Sequence, residues 1–195
     1  MAYQRGIGLH RQGRTADAEA AFASALQEDR RHVPARQALA VAFIGEGRHD
    51  EAETLLAAGL ALSPHQFQLA STLARVKAER RDLAGAIEVL KPALAGGAGA
   101  VAPADHAQAL ALLGTLQQSA GQHADAIENY AQALRQSPGN GPWWIGLGLS
   151  LAADGRAESA REAFARARGT ETLSPELLRY VDQRLRAGAR PTASN

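Results

Sequence analysis

Cysteine is absent from this 195-residue chain. That excludes disulfides, thiol nucleophiles and cysteine-ligated zinc, and it fits any redox compartment. Aromatic residues make up only 5%, and Val, Ile and Thr are too few to furnish a sheet. The composition therefore favours an all-α fold built on Ala and Leu. Neither sign of charge prevails: 21 basic and 20 acidic residues leave a net charge of +1. No basic stripe marks a surface for nucleic acid. Long apolar runs are missing too. No segment nears the roughly 20 apolar residues that a membrane span needs, so direct membrane insertion is not expected. The opening MAYQRGIGLHRQGR lacks the apolar region of a secretory signal. The targeting segment of an anchored or exported protein would have to lie outside this chain.

What is present is a period. Ala18, Ala52, Ala86, Ala126 and Ala160 each precede, by four positions, a large apolar residue: Phe22, Leu56, Leu90, Tyr130 or Phe164. Three positions further comes a small residue again, at Ala25, Gly59, Ala93, Ala133 and Ala167. The successive spacings are 34, 34, 40 and 34 residues. Such self-similarity decides the architecture before any local reading does. The expected repeats are 1–32, 33–66, 67–100, 107–140 and 141–174, within a single array over 1–186.

Each unit reads as two helices joined by a tight turn. In the second, Leu39, Ala40 and Phe43 recur at helical spacing. Gly45, Gly47 and Arg48 interrupt them, and Ala52, Leu55, Leu56 and Leu60 form the next stripe. Gly13, Gly47, Gly121 and Gly155 share one turn position, where a helix commonly ends in a left-handed residue. The third unit has Arg81 there, which predicts either a strained left-handed arginine or a different turn. Small residues at Ala40, Ala74, Gly114 and Gly148 and in the Ala18 column let helices approach closely, and the Phe22 column fills the gap to the next unit. Pro64 and Pro138 follow the second helices of their units and end them.

The period is irregular in three places. Residues 95–103 (AGGAGAVAP) add six residues and must form a loop, either a hinge or a passive insertion, and Pro92 is expected to shorten or kink the helix before it. At the start, Arg5 occupies the column held elsewhere by Leu39, Leu73, Leu113 and Leu147, and the first helix lacks its opening residues; this suggests a fragment of a longer protein. At the end, Ser174 as N-cap, Pro175 and Glu176 open a helix over 175–187. Its stripe of Leu177, Leu178, Val181 and Leu185 is expected to close the array's last face. Residues 188–195 are expected to be disordered.

No catalytic constellation emerges, so no enzyme activity and no cofactor are expected. The six histidines (His10, His32, His49, His65, His106 and His123) show no metal-ligand spacing. His49 and His123 sit at equivalent turn positions, which the period explains. The glycines of 96–99 lack a phosphate-binding lysine, and Gly146 and Gly148 lie inside a helix.

The columns together, most clearly Trp144, Leu147, Gly148, Gly155, Ala160, Phe164 and Ala167 of the fifth unit, resemble the tetratricopeptide repeat (TPR) signature. The resemblance covers about residues 1–174. It implies a right-handed TPR superhelix, an α-solenoid of five helix-turn-helix repeats plus a C-terminal capping helix. The first helices would line a concave groove for a protein or peptide partner, facing it with Tyr3, Ile7, His10, Gln37, Val41, Ile44, Ser71, Arg75, Thr115, Gln118, Ile145 and Leu149. This apolar and neutral polar mixture suits an extended or helical peptide. TPR co-chaperones clamp acidic C-terminal peptides with lysines and asparagines. The matching positions here hold Tyr3, Ile7, Gln37, Ala38 and Ser71, with Arg75 the one cation, which speaks against that ligand. Trp144 should pack on its own second helix. The sequence leaves three places for Trp143: capping the groove, touching the fourth unit, or anchoring a partner.

A narrower resemblance covers roughly residues 136–186. The run Pro138-Gly-Asn-Gly-Pro-Trp143-Trp144-Ile-Gly-Leu-Gly-Leu-Ser-Leu151, then Gly155-Arg156, then Leu173-Ser-Pro-Glu-Leu177 with Tyr180-Val181 and Gln183-Arg-Leu185, is similar to the C-terminal TPR region of the MshN family. Those proteins serve biogenesis of the mannose-sensitive haemagglutinin (MSHA) type IV pilus. The resemblance implies a periplasmic domain of an inner-membrane-anchored protein, with pilus or secretion-machinery components as partners. The other reading that the sequence allows is a soluble cytoplasmic TPR adaptor for an unrelated peptide.

Overall fold

The computed structural model describes residues 1–95 and 103–187. Among these residues it is helical throughout, without strands. The chain divides into two compact units, Met1–Ala100 and Val101–Asn195, and each is taken by itself. The first unit holds α1 (Ala2–Arg11), α2 (Thr15–Glu28), α3 (Val33–Gly45), α4 (His49–Leu62), α5 (Phe67–Glu79) and α6 (Leu83–Ala95). The second holds α7 (Pro103–Ser119), α8 (His123–Gln136), α9 (Gly141–Ala153), α10 (Ala157–Arg168) and α11 (Pro175–Ala187). The inserted run between α6 and α7 and the tail from residue 188 lie outside the described residues.

Helix ends follow the turn column. Gly13, Gly47, Gly121 and Gly155 take φ between 74° and 78°. Arg81 takes φ 65° in the same left-handed region, so this turn keeps its shape and carries the strain of a Cβ. Helices α4 and α8 stop two residues before Pro64 and Pro138. Pro92 does not stop α6, which runs through it to Ala95. The missing N–H removes only one hydrogen bond, the one Glu88 would have accepted, and the buried Leu90 and Ala93 keep the helix docked.

The small and large columns form the core. Ala18, Ala52, Ala86, Ala126 and Ala160 are buried, as are Phe22, Leu56, Leu90, Tyr130 and Phe164. Each first helix packs on its own second helix, and second helices α2, α4 and α8 pack on the first helix that follows. Successive first helices also touch, α3 with α5 and α7 with α9, so they form one layer of each unit.

The stripe on α11 is only partly covered. Val181 is fully buried, but Leu177 and Leu178 remain 37% and 38% exposed. The helix packs chiefly on α10, and one main neighbour cannot cover a stripe that wide. Arg168 reaches Asp182 at 2.9 Å to fasten the pair. Among the described residues no helix is long and apolar enough to cross a membrane.

Candidate functional site

The first-helix face of the first unit is carried by α1, α3 and α5. Tyr3 does not project freely. Its ring lies 5.9 Å from that of Phe22 and 4.9 Å from His32, and with Ile7 it packs on the cluster of Leu9, Ala18, Phe22 and Leu39. His10 is exposed, Ile44 half-buried, and Val41 stands 52% exposed. Gln37 Nε2 donates to Thr72 Oγ1 at 2.6 Å, tying α3 to α5, while its Oε1 is buried without a partner. Ser71 Oγ turns back to the Gln68 carbonyl at 3.1 Å. Arg75 is exposed and makes no ion pair among the described residues. Open, contactable surface here is thus His10, Val41 and Arg75, with Ile44 beside them.

In the second unit the expected face is largely consumed by internal bonds. Thr115 Oγ1 donates to the Ala111 carbonyl and lies 2.9 Å from the Tyr130 hydroxyl. Gln118 Nε2 donates to the Gly146 carbonyl at 3.1 Å and to Ser150 Oγ at 2.9 Å, bridging α7 to α9. Tyr130 fills the large column where other units have Phe or Leu, and its hydroxyl must find partners once buried. Burial also raises its pKa, opposed by the Thr115 bond. Gly146 makes the room: a Cβ there would meet Tyr130 Cζ at 2.4 Å. Ile145, expected on the groove, is only 7% exposed and belongs to the core. Leu149 remains half-buried on the face.

Three features escape a columnar reading. Arg36 is buried, donating to the Arg30 and Leu55 carbonyls at 2.7 and 2.9 Å, and burial lowers its pKa. Its signal is Gly59, the one glycine in a column of alanines, where a Cβ would meet Arg36 Cδ at 2.3 Å. Arg48 is an ionic hub. It contacts Glu19, Glu46 and Glu51 at 2.7–2.9 Å and lies 4.0 Å above the Phe43 ring. Its hydrogen bonds hold the Glu46 and Glu51 carboxyls below the usual range. Lastly, the two parts of the 136–186 motif meet. Asn140 Oδ1 caps α9 by accepting from the Trp143 N–H, and Gly141 N donates to Thr172 Oγ1 at 2.9 Å.

Trp144 packs as the signature column requires. Arg166 of α10 lies 5.2 Å from its ring, and Nε1 donates to the Pro138 carbonyl. Trp143 is half-buried at the start of α9. His49 and His123 both open second helices, each with a buried, unpaired Nδ1, as equivalence under the period requires. Among the described residues no three His, Asp or Glu side chains converge as metal ligands.

The arrangement defines a class: two-helix repeats whose first helices form a layer within each unit. The family models agree. Tetratricopeptide repeat models match residues 9–76, 71–140 and 112–175, and the chain belongs to the tetratricopeptide repeat family. No curated protein matches it, but 257 solved chains do, too many to single out one partner chemistry. A crystal structure of MamA shares 22% identity at TM-score 0.73, covering 87% of this chain and 90% of that one. MamA from Desulfovibrio magneticus RS-1, residue 41 to the end, shares 21% at TM-score 0.70, covering 87% and 93%. YrrB, described as a TPR protein with an unusual peptide-binding site, shares 18% at TM-score 0.73, covering 93% and 90%. At these identities the likeness is one of fold alone.

Proposed function

We propose that this chain is a non-catalytic protein-interaction scaffold that holds an extended or helical segment of a partner against its first-helix face. The observation that carries this is the exposure of His10, Val41 and Arg75 on the first helices α1, α3 and α5, an apolar and cationic set in a family whose repeats bind peptides and proteins. The peptide-binding site named for YrrB is consistent with it.

The finer reading is a periplasmic domain of an MSHA-like pilus biogenesis protein, anchored in the inner membrane, with pilus or secretion-machinery components as partners. It rests on the resemblance over residues 136–186. The test is a pull-down from the native envelope with wild-type protein and the double variant Val41→Asp, Arg75→Glu. Pilus-machinery proteins recovered by the wild type and lost by the variant are the expected outcome. Equal recovery by both removes the face from the mechanism, and recovery of no envelope protein replaces the pilus reading with that of a cytoplasmic adaptor.

A further inference from the structure

One column of the repeat carries arginine at the start of three second helices, and the three are not treated alike. Arg14 meets Asp17, three residues on, at 2.6 Å. Arg48 meets Glu51 at the same offset and is joined across the repeat by Glu19 of α2. Arg156 has neither. Three residues on stands Ser159, and the position equivalent to Glu19, on α8, holds Ile127. Among the described residues Arg156 makes no ion pair, not even with Asp154, the counterpart of Glu46.

The equivalent cleft beside Arg48, about 390 Å³, is lined by Glu19 and Glu46; beside Arg156 the inter-repeat carboxylate is replaced by Ile127. A cleft of about 360 Å³ lies between α8, α9 and α10, floored by Ile127, Ala131, Leu147 and Leu151 and walled by Trp144. Arg156 stands at its lip. The other cation there, Arg166, is engaged by Glu162 at 2.9 Å and by the Trp144 ring. The lining residues of α9 sit on the side of that helix turned toward the second helices, away from Ile145 and Leu149, so this cleft is separate from the first-helix face.

We propose that this cleft is a second docking site, taking one apolar side chain of a partner peptide while an adjacent Asp or Glu carboxylate pairs with Arg156. The partner would supply in trans what Glu19 and Glu51 supply to Arg48 within the chain. Charge fixes the class of occupant: the floor is apolar, the unpaired group at the rim is a guanidinium that binds carboxylates in bidentate fashion, and Glu162 is already engaged.

The probe is a fluorescein-labelled peptide, Gly-Asp-Leu-Phe-Asp-Gly, compared by fluorescence anisotropy with its Asn-for-Asp counterpart. The acidic peptide is expected to bind saturably and the amide peptide at least about tenfold more weakly, as loss of a charge-assisted pair requires. Arg156→Gln should lose the same factor, and so should Ile127→Glu, which places a carboxylate where Glu19 stands beside Arg48 and so supplies the partner within the chain. Arg179→Gln, a cation on α11, should not change it. Arg156 is exposed, so Arg156→Gln stays folded and decides the matter even if Ile127→Glu does not. Equal affinity for the two peptides, unchanged binding by Arg156→Gln, or no saturation below about 1 mM overturns the proposal. Concentration-dependent dimerisation that Ile127→Glu abolishes would assign the cleft to a second copy of the chain and overturn it as well.

Discussion

Gly146→Ala isolates the contact on which the second unit's internal network depends. In an open helix the change would stabilise by about 1 kcal/mol, because alanine loses less backbone entropy. Here the added Cβ would stand 2.4 Å from Tyr130 Cζ and 2.6 Å from its hydroxyl. Tyr130 cannot swing aside, since it is 3% exposed and its hydroxyl is held by Thr115. Overpacking of this kind costs about 1–3 kcal/mol, and displacing the hydroxyl adds about 1 kcal/mol for a buried group left unpaired. The net expectation is destabilisation by about 1–3 kcal/mol, a fall in Tm of roughly 4–8 °C for each kcal/mol in a unit of this size. Tryptophan fluorescence reads it directly, because the chain's only tryptophans, Trp143 and Trp144, are both in the second unit. Gly114→Ala is the internal control: its Cβ would find Ala126 O and Tyr130 no nearer than 3.3 Å, so it should stay within about 1 kcal/mol of wild type. A Gly146→Ala protein melting at or above wild type refutes the argument, as does failure of Tyr130→Leu to relieve the loss in the double variant.

Arg81→Gly should stabilise the first unit by about 0.5–1 kcal/mol by removing left-handed strain, seen as a rise in the urea midpoint by circular dichroism; an Arg81→Ala protein gaining as much would point away from φ. Ala126→Leu, at a fully buried helix crossing, should lose about 1–3 kcal/mol, and a fluorescence melt unchanged from wild type would mean that the crossing can open. The carboxyls of Glu46, Glu51 and Asp82 are depressed by Arg48, by Arg48, and by the Gly85 N–H with Lys77 respectively. Their stabilisation is therefore complete above the unfolded values of about 4 and lost as pH falls through the folded ones. Denaturation midpoints between pH 6 and 3 should drop, and Arg48→Met should flatten that limb; a limb of unchanged steepness would exclude Arg48 as its source.

The period made the helix pairs legible because a repeat repeats its turn. The Gly13 column located the breaks between first and second helices, and Arg81 obeyed it against its own preference. Contacts between columns were not legible. Arg36 shares a column with Ala70, Leu110 and Trp144, and only the hole above Gly59 makes it a buried bridge. Pro92 in sequence points to a shortened or kinked helix, and that α6 continues through it to Ala95 depends on the burial of Leu90 and Ala93, which the residue itself does not show. Ile145 read as groove surface for the same reason, its burial being decided by neighbouring helices rather than by its place in the repeat.

The same distinction bears on where a partner is read. A neutral polar side chain on a first helix looks identical in sequence whether it faces a ligand or a neighbouring helix. Thr115 and Gln118 are committed to Tyr130, Ser150 and the Gly146 carbonyl, and Ser150 is fully buried. Releasing them to a ligand would leave several buried polar groups unpaired, at about 1–3 kcal/mol each, more than a peptide hydrogen bond returns. Val41 and Arg75 carry no such commitment. On the proposed scaffold function, recognition on the first-helix face is expected in the first unit: a Gln118→Ala variant should lose stability with little change in partner affinity, whereas Val41→Asp with Arg75→Glu should lose affinity and keep its Tm. Reversal of those two outcomes, measured on the same preparations, would return the site to the second unit.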